Sequence, residues 1–117
     1  MFKWGGFKSA AGLWLPFKID LDGLGDEDWN TLARVVAEET KFGEVEGVPR
    51  GGLKLAEHLS LYRGRGPLLI VDDVMTTGGS MERWRNGREA IGVVIFDRSG
   101  GTGPGWVRSV FRFWSKK

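Results

Sequence analysis

The amino-acid sequence predicts an α/β fold in which a mainly parallel β-sheet is flanked by helices. The first observation is the order strand, helix, strand, helix, strand with short loops, which is typical of parallel sheets. The second is a pair of apolar runs, residues 68–74 and 90–98, that do not alternate with polar residues and so indicate strands buried on both faces. Ligands of such sheets bind at the carboxyl ends of the strands, so the loops after the strands are candidate site segments.

Length and composition narrow the possible classes. A chain of 117 residues suits one domain, and we expect a single domain over 1–117, with a small segment 1–24 and a core 25–117. The chain lacks cysteine, which excludes disulfides and thiolate metal sites and is compatible with the cytoplasm, the location we expect. No apolar run approaches the roughly 20 residues of a membrane helix. The net charge of +2 is too small to indicate nucleic-acid binding by itself.

Periodicity and breaker residues predict the boundaries of the elements. Asp26 is the expected N-cap of the first helix, and the acids that follow it suit the helix dipole. In the second helix we expect Leu53, Ala56 and either Leu59 or Leu61 to face the core. The predicted elements are short or irregular β structure over 1–24, a helix over 26–41, a strand over 44–48, a turn over 49–52, a helix over 53–62, a strand over 68–74, a helix beginning within 80–86, a strand over 90–98 and a weaker last strand over 106–114.

Two adjacent carboxylates, Asp72 and Asp73, stand at the end of the strand 68–74. Adjacent strand residues point to opposite faces, so the two side chains can reach different atoms of one ligand as the backbone turns. Carboxylates accept hydrogen bonds from vicinal hydroxyl groups and bind Mg²⁺ directly or through water. Taken alone, the pair is equally compatible with two solvated acids at a strand end.

The loop that follows consists of Thr76, Thr77, Gly78, Gly79 and Ser80, a composition that suits an anion site. Glycines allow a sharp turn, successive amides and the start of the next helix present donors, and the hydroxyl groups add more. The loop suits a monophosphate and matches neither the Walker A pattern nor the dinucleotide fingerprint. A flexible turn capped by serine would explain the loop alone, but acids and loop together at the end of a buried strand are more specific.

A second loop places Arg50 directly before Gly51 and Gly52. The guanidinium supplies positive charge, and the glycines supply exposed amides ahead of a helix. This combination suits a second phosphate group, although a plain turn would also account for it.

These motifs resemble those of type I phosphoribosyltransferases. LLIVDDVMTTGGS (68–80) is similar to the family's motif for phosphoribosyl pyrophosphate (PRPP), and GVPRGG (47–52) is similar to its pyrophosphate loop. GGFKSAAGLWLPFKIDL (5–21) and VVIFDRSGG (93–101) resemble the amino-terminal hood and the base-binding strand of the orotate phosphoribosyltransferase branch. The resemblance covers most of the chain and implies a reduced type I phosphoribosyltransferase fold with a small hood over 1–24.

The resemblance also implies a reaction and its participants. A base nitrogen, expected to be that of a pyrimidine such as orotate, would displace pyrophosphate from the anomeric carbon of PRPP. Mg²⁺ would be the cofactor, and the protein would be a homodimer that acts in pyrimidine biosynthesis without a membrane partner. The implied site residues are Asp72 and Asp73 for the ribose hydroxyls and, indirectly, the metal; Thr76, Thr77, Gly78, Gly79 and Ser80 for the 5′-phosphate; Arg50, Gly51 and Gly52 for pyrophosphate; and Lys8 and Arg98 for the base. Asp72, Asp73 and Arg50 are the implied catalytic residues.

The sequence departs from the family pattern ahead of the strand 68–74. The family has a further strand and a long mobile loop with basic residues there, whereas only SLYRGRGP (60–67) fills the gap in this chain. Arg63 and Arg65 either replace the charges of that lid or form a solvated basic turn, and we favour the turn. The departure leaves open an alternative function, a regulatory module that binds PRPP or a nucleotide without turning it over.

A nucleic-acid-binding protein is the third and least favoured hypothesis. It would use arginines beside tryptophans that can stack on bases. We expect these residues to form a solvated helix face and ordinary core instead. They are Arg83, Arg85, Arg88, Arg108, Arg112, Trp84, Trp106 and Trp114.

Overall fold

A mixed β-sheet with flanking helices makes up the part of the chain that the computed structural model describes, residues 2–9, 14–19 and 23–113, with side chains described over 23–111. The strands are β1 (Phe2–Ser9), β2 (Trp14–Ile19), β3 (Val45–Gly47), β4 (Leu68–Met75), β5 (Ala90–Asp97) and β6 (Val107–Phe113). The helices are α1 (Asp26–Glu39), α2 (Leu53–Leu59) and α3 (Gly79–Arg85), and a 3-10 turn, Ser60–Tyr62, follows α2.

The sheet has the strand order β2-β1-β6-β5-β4-β3. Strands β3, β4, β5 and β6 are parallel to one another, whereas β1 is antiparallel to both β2 and β6. The prediction of a mainly parallel α/β sheet is therefore confirmed, and the weak last strand is real. The β structure expected over 1–24 is an antiparallel pair that extends the sheet, while the hood assignment and the domain boundaries stay predictions.

Strand β4 is buried on both faces because its side chains alternate between two apolar clusters. Leu69 and Val71 pack in the cluster that contains α1 and α2, and Ile70 packs in the cluster that contains α3. All three side chains are fully buried. Strand β5 repeats the arrangement with Val93 and Val94 on opposite sides. A run that contacts helices on both faces has no solvent-facing positions, which explains its lack of polar alternation.

The start of α1 differs from the prediction. Gly25, not Asp26, occupies the N-cap position, and the Asp28 carboxylate accepts a hydrogen bond from the Gly25 amide at 3.1 Å. Acidic residues in the first turn still suit the helix dipole, as expected. The acidic side chain that accepts a hydrogen bond from the N-cap amide is therefore Asp28, at the third helical position.

The inward face of α2 also differs from the prediction. Leu55 and Leu59, one turn apart, are fully buried, whereas Leu53 is 50% exposed and Leu61 is 79% exposed. Of the residues expected to face the core, Leu59 does so and Ala56 is half-buried. None of the helices in the described part of the chain has the length and hydropathy of a membrane span.

The connection between α2 and β4 contains a 3-10 turn and a loop, with no strand over residues 60–67, as predicted. Gly64 donates its amide hydrogen to the Phe42 carbonyl at 3.0 Å, and Arg63 Nη1 lies 3.6 Å from Glu44 Oε1. Residues 42–44 precede β3, so the loop lies at the amino-terminal end of the parallel strands. Since ligands bind at the opposite end, this location supports the interpretation of a solvated basic turn.

Candidate functional site

Three loops meet at the carboxyl ends of β3, β4 and β5. They are held together by backbone hydrogen bonds between neighbouring strand ends. The Val48 amide donates to the Val71 carbonyl at 2.8 Å, and the Arg98 amide donates to the Met75 carbonyl at 2.8 Å. The sheet topology thus brings together the loops that follow three predicted strands, which the sequence analysis gave as candidate site segments.

The two adjacent carboxylates face different loops. Asp72 is buried, 8% exposed, and lines the cavity formed by the loop after β4. Asp73 is half-buried and lies against Gly51 in the loop after β3, so close that a Cβ atom on Gly51 would overlap its carboxylate. Each carboxylate also accepts a hydrogen bond from the next amide in the chain, Asp72 from Asp73 at 2.8 Å and Asp73 from Val74 at 2.7 Å. The pair can therefore contact one ligand from two sides.

The Asp72 carboxyl group has an altered acidity. Burial is the main cause, and hydrogen bonding to the Asp73 carboxylate adds to it; together they raise the pKa of Asp72 from 3.8 to about 7. The Asp73 amide, which donates to Asp72, acts in the opposite direction. A group that is protonated near neutrality in the free protein can release its proton when ligand hydroxyls donate to it.

This raised pKa predicts that ligand binding depends on pH. Sugar hydroxyls donate to the ionised carboxylate, so affinity for PRPP should rise between about pH 6 and about pH 8. Titration of the ligand's phosphates also contributes to this pH dependence of affinity. Replacing Asp72 with asparagine should remove the contribution of Asp72 and leave that of the phosphates. Folded Asp72 binds its proton more tightly than the unfolded chain, so its contribution to the unfolding free energy falls as pH rises from about 4 to about 7. Calorimetry and urea unfolding across this range measure both effects. Identical pH slopes for wild type and Asp72→Asn would contradict the prediction.

The loop after β3 is a tight turn that presents Arg50. Arg50 is exposed, and the peptide bond between Pro49 and Arg50 is cis. The Gly52 amide donates to the Val48 carbonyl at 2.8 Å, so it is already used within the turn, contrary to its expected role as a ligand donor. The guanidinium of Arg50 and the amide of Gly51 are the groups that this loop can offer to an anion.

The loop after β4 surrounds an open cavity of about 250 Å³. Gly78 makes the turn in the left-handed region, at φ +90°, where a side chain would be strained and would overlap Pro104. The Thr77 hydroxyl accepts a hydrogen bond from the Gly79 amide at 3.2 Å. Within the described residues, the amides of Thr77 and Gly78 have no protein acceptor. The lining residues are Asp72, Val74, Met75, Thr76, Thr77, Gly78, Gly79, Ser80, Met81 and Arg83.

The loop after β5 is organised by Asp97. This buried carboxylate accepts hydrogen bonds from the amide, at 2.7 Å, and the hydroxyl of Ser99, and the Ser99 hydroxyl accepts one from the Gly103 amide at 3.1 Å. Arg98 stands inside this turn and is exposed. The turn holds the Arg98 backbone at the edge of the site and leaves its side chain facing solvent. Lys8 is in β1, opposite Trp14 and Arg112, and its side chain lies outside the described residues.

Arg83 is a charged lining residue that the sequence did not assign to the site. By sequence alone it belongs to the arginines of the suggested nucleic-acid surface. Its guanidinium lies 3.3 Å from the Ser80 hydroxyl, three residues earlier on α3. The spacing of Ser80 and Arg83 could have indicated that Arg83 lies near the loop, because residues three apart on a helix share a face.

Most other residues of the suggested nucleic-acid surface form ion pairs or hydrogen bonds with other residues of the protein. Arg88 pairs with Glu46 at 3.0 Å, and Arg85 pairs with Glu82 at 2.6 Å. The tryptophan N–H groups are also used, since Trp84 donates to Glu46 at 3.0 Å and Trp106 donates to Glu82 at 2.9 Å. Arg108 donates to Thr40 and to the last carbonyl of α1. These contacts support the expectation that the residues have structural roles and do not form a nucleic-acid surface. Arg112 and Trp114 lie outside the residues whose side chains are described.

Comparison with known proteins supports the α/β fold described above. No protein-family profile matches the chain, and no curated protein matches it in sequence. A crystal structure of orotate phosphoribosyltransferase from Aeropyrum pernix is similar, with a TM-score of 0.58 and 25% sequence identity, and the match covers 95% of this chain and 86% of that one. The chain therefore has a phosphoribosyltransferase-like α/β fold.

Proposed function

We propose that this protein binds PRPP with Mg²⁺ and transfers phosphoribose to a nucleobase, with release of pyrophosphate. The observation that carries the proposal is the juxtaposition at the end of β4. One buried carboxylate lines the same cavity as a donor-rich loop, and its neighbour lies against a second loop that carries a cation. The similarity to an orotate phosphoribosyltransferase structure supports this choice among the ligands of α/β sheets.

The proposed roles follow the chemistry of each group. Asp72 and Asp73 accept hydrogen bonds from the ribose 2′- and 3′-hydroxyls and hold the sugar between the two loops. The residues of the loop after β4, through amides and hydroxyls, hold the 5′-phosphate. Arg50 and the Gly51 amide bind pyrophosphate, which gains negative charge as it leaves. The base nitrogen attacks the anomeric carbon as the bond between that carbon and pyrophosphate breaks. Catalysis therefore depends mainly on positioning and on charge stabilisation.

The residues present fit a magnesium ion that arrives with the ligand. The described residues contain no group of three acidic, histidine or cysteine side chains that would hold a metal alone. Carboxylate and phosphate oxygens are the ligands that Mg²⁺ prefers, and Mg²⁺ often keeps several waters. Asp72 and Asp73 would contact the ion directly or through water, and the ion would offset the charge of pyrophosphate.

The proposed base is a pyrimidine with an acidic group, such as orotate. Arg98 carries positive charge at the edge of the site, on a turn fixed by Asp97 and by Met75. Lys8 is proposed as a second base contact. We also propose a homodimer, because β3 lies at an edge of the described sheet and a partner would cover that edge.

A regulatory PRPP-binding module is the second candidate function. The observation that favours it is the position of residues 60–67, which lie at the amino-terminal end of the strands, away from the site. This connection supplies no cover over the ligand, and an open site excludes water less well during the reaction.

Pyrophosphate release with different bases distinguishes the two candidates. The protein is incubated with PRPP and Mg²⁺ and with orotate, uracil or a purine base, and pyrophosphate and ribonucleotide are measured. We expect base-dependent release in equal amounts with the ribonucleotide, fastest with orotate. Binding of PRPP without release would support the regulatory module, and absence of both would overturn the two functions together.

A further inference from the structure

The cavity after β4 contains one cation whose position suggests a specific task. Arg83 lines the cavity, and its Nη2 atom is in hydrogen-bond distance of the Ser80 hydroxyl, at 3.3 Å. The guanidinium is also close to the backbone of Gly79, since a Cβ atom on that residue would lie 3.2 Å from Arg83 Nη1. The guanidinium therefore lies beside both the hydroxyl and the backbone of the loop proposed to bind phosphate.

Arg83 differs from the other arginines near α3 in its charge balance. Arg85 and Arg88 are held by carboxylates, those of Glu82 and Glu46. Among the side chains described over 23–111, no carboxylate lies within ion-pair distance of Arg83. A cation that faces a cavity without a protein counter-ion is available to an anionic ligand.

A phosphate monoester is the anion that this arrangement suits. Its oxygens can accept from the loop amides and, at the same time, from the planar fork of a guanidinium. At neutral pH the monoester is close to doubly charged. The uncompensated charge of Arg83 would therefore favour a phosphorylated sugar, whereas amides and hydroxyls alone discriminate less between charged and neutral groups.

We propose that Arg83 is a specificity-determining residue that binds the 5-phosphate of the sugar, so that the site selects 5-phosphorylated ribose. This inference rests on the proposed function, because it assumes that the loop 76–80 holds that phosphate. It assigns Arg83 no contact with pyrophosphate, which belongs to Arg50 and the loop after β3.

Calorimetric titration of two ligands into Arg83→Gln tests the inference. With ribose 5-phosphate as the probe, the dissociation constant should rise about tenfold or more, as expected for the loss of a charge-assisted hydrogen bond. With Mg²⁺-pyrophosphate as the probe, the dissociation constant should change little. Arg83→Lys keeps the charge but loses the fork, so it should recover only part of the affinity for ribose 5-phosphate.

Arg34→Gln is the matched control for net charge. Arg34 is exposed on α1, which packs on the face of the sheet opposite α3. Its replacement should leave both titrations unchanged, and thermal unfolding of each variant verifies that the fold is intact.

The outcomes separate this inference from the proposed function. If the wild-type protein binds neither ribose 5-phosphate nor PRPP, the proposed function fails and this inference fails with it. If the wild type binds and Arg83→Gln binds as tightly, Arg83 is only a solvated helix residue and the inference alone is overturned. An equal loss for ribose 5-phosphate and pyrophosphate would also overturn it, because Arg83 would then attract any anion.

Discussion

Replacement of both Asp72 and Asp73 with asparagine should reduce the affinity for Mg²⁺-PRPP by at least about a hundredfold. Each carboxylate is proposed to accept a charge-assisted hydrogen bond from a ribose hydroxyl, and the loss of two such bonds corresponds to roughly 3 kcal/mol or more. Calorimetric titration measures the change. The fold should survive, because asparagine is nearly the same size and removes the cost of burying a negative charge at Asp72.

A double variant on α1 controls for the loss of charge. Glu38 and Glu39 are exposed neighbours, so Glu38→Gln with Glu39→Gln replaces two carboxylates with amides outside the site. This control should bind Mg²⁺-PRPP as the wild type does. An Asp72, Asp73 double variant that retains wild-type affinity would show that these carboxylates do not hold the sugar.

Replacement of Gly51 with alanine should weaken PRPP binding about tenfold while leaving the protein folded. The new Cβ atom would overlap the Asp73 carboxylate, which is the end of a flexible side chain and can move away. The carboxylate would then leave the position from which it accepts the proposed ribose hydrogen bond, at a cost of the order of one such bond. Titration of Mg²⁺-PRPP and thermal unfolding of the variant measure the two effects separately.

Gly64 provides the matched control for this substitution. A Cβ atom at Gly64 has open space around it, and the residue lies at the other end of the strands. Gly64→Ala should therefore bind PRPP normally and be at least as stable as the wild type. Equal PRPP affinities for Gly51→Ala and Gly64→Ala would contradict the proposed position of the Asp73 carboxylate.

The sequence predicted the elements and the central motif because the relevant information is local. Strand β4 has no polar alternation, which reflects contact with helices on both faces. Asp72 and the loop 76–80 are close in sequence, so one turn of the backbone suffices to place them around one cavity, and the neighbouring Asp73 faces the loop after β3. The loops after β3 and β5 join them through a general property of parallel sheets, the shared edge of the strand ends.

Features that depend on distant partners, or on the detailed path of a turn, were not predictable from the sequence patterns. Arg83 and Arg88 look alike in the sequence, yet only Arg88 meets a carboxylate, that of Glu46, which is 42 residues away. The Gly52 amide was expected to face a ligand but bonds to Val48, because the turn closes on itself. The exposure of Leu61 follows from the 3-10 turn that ends α2.

The most direct test of the central claim is a calorimetric titration of PRPP into the wild-type protein in the presence of Mg²⁺. We expect saturable binding to one site per chain, which the Asp72, Asp73 double asparagine variant lacks. Absence of saturable binding at millimolar PRPP, by a folded protein, would contradict the assignment of the β4 carboxylates and the loop 76–80 to this ligand.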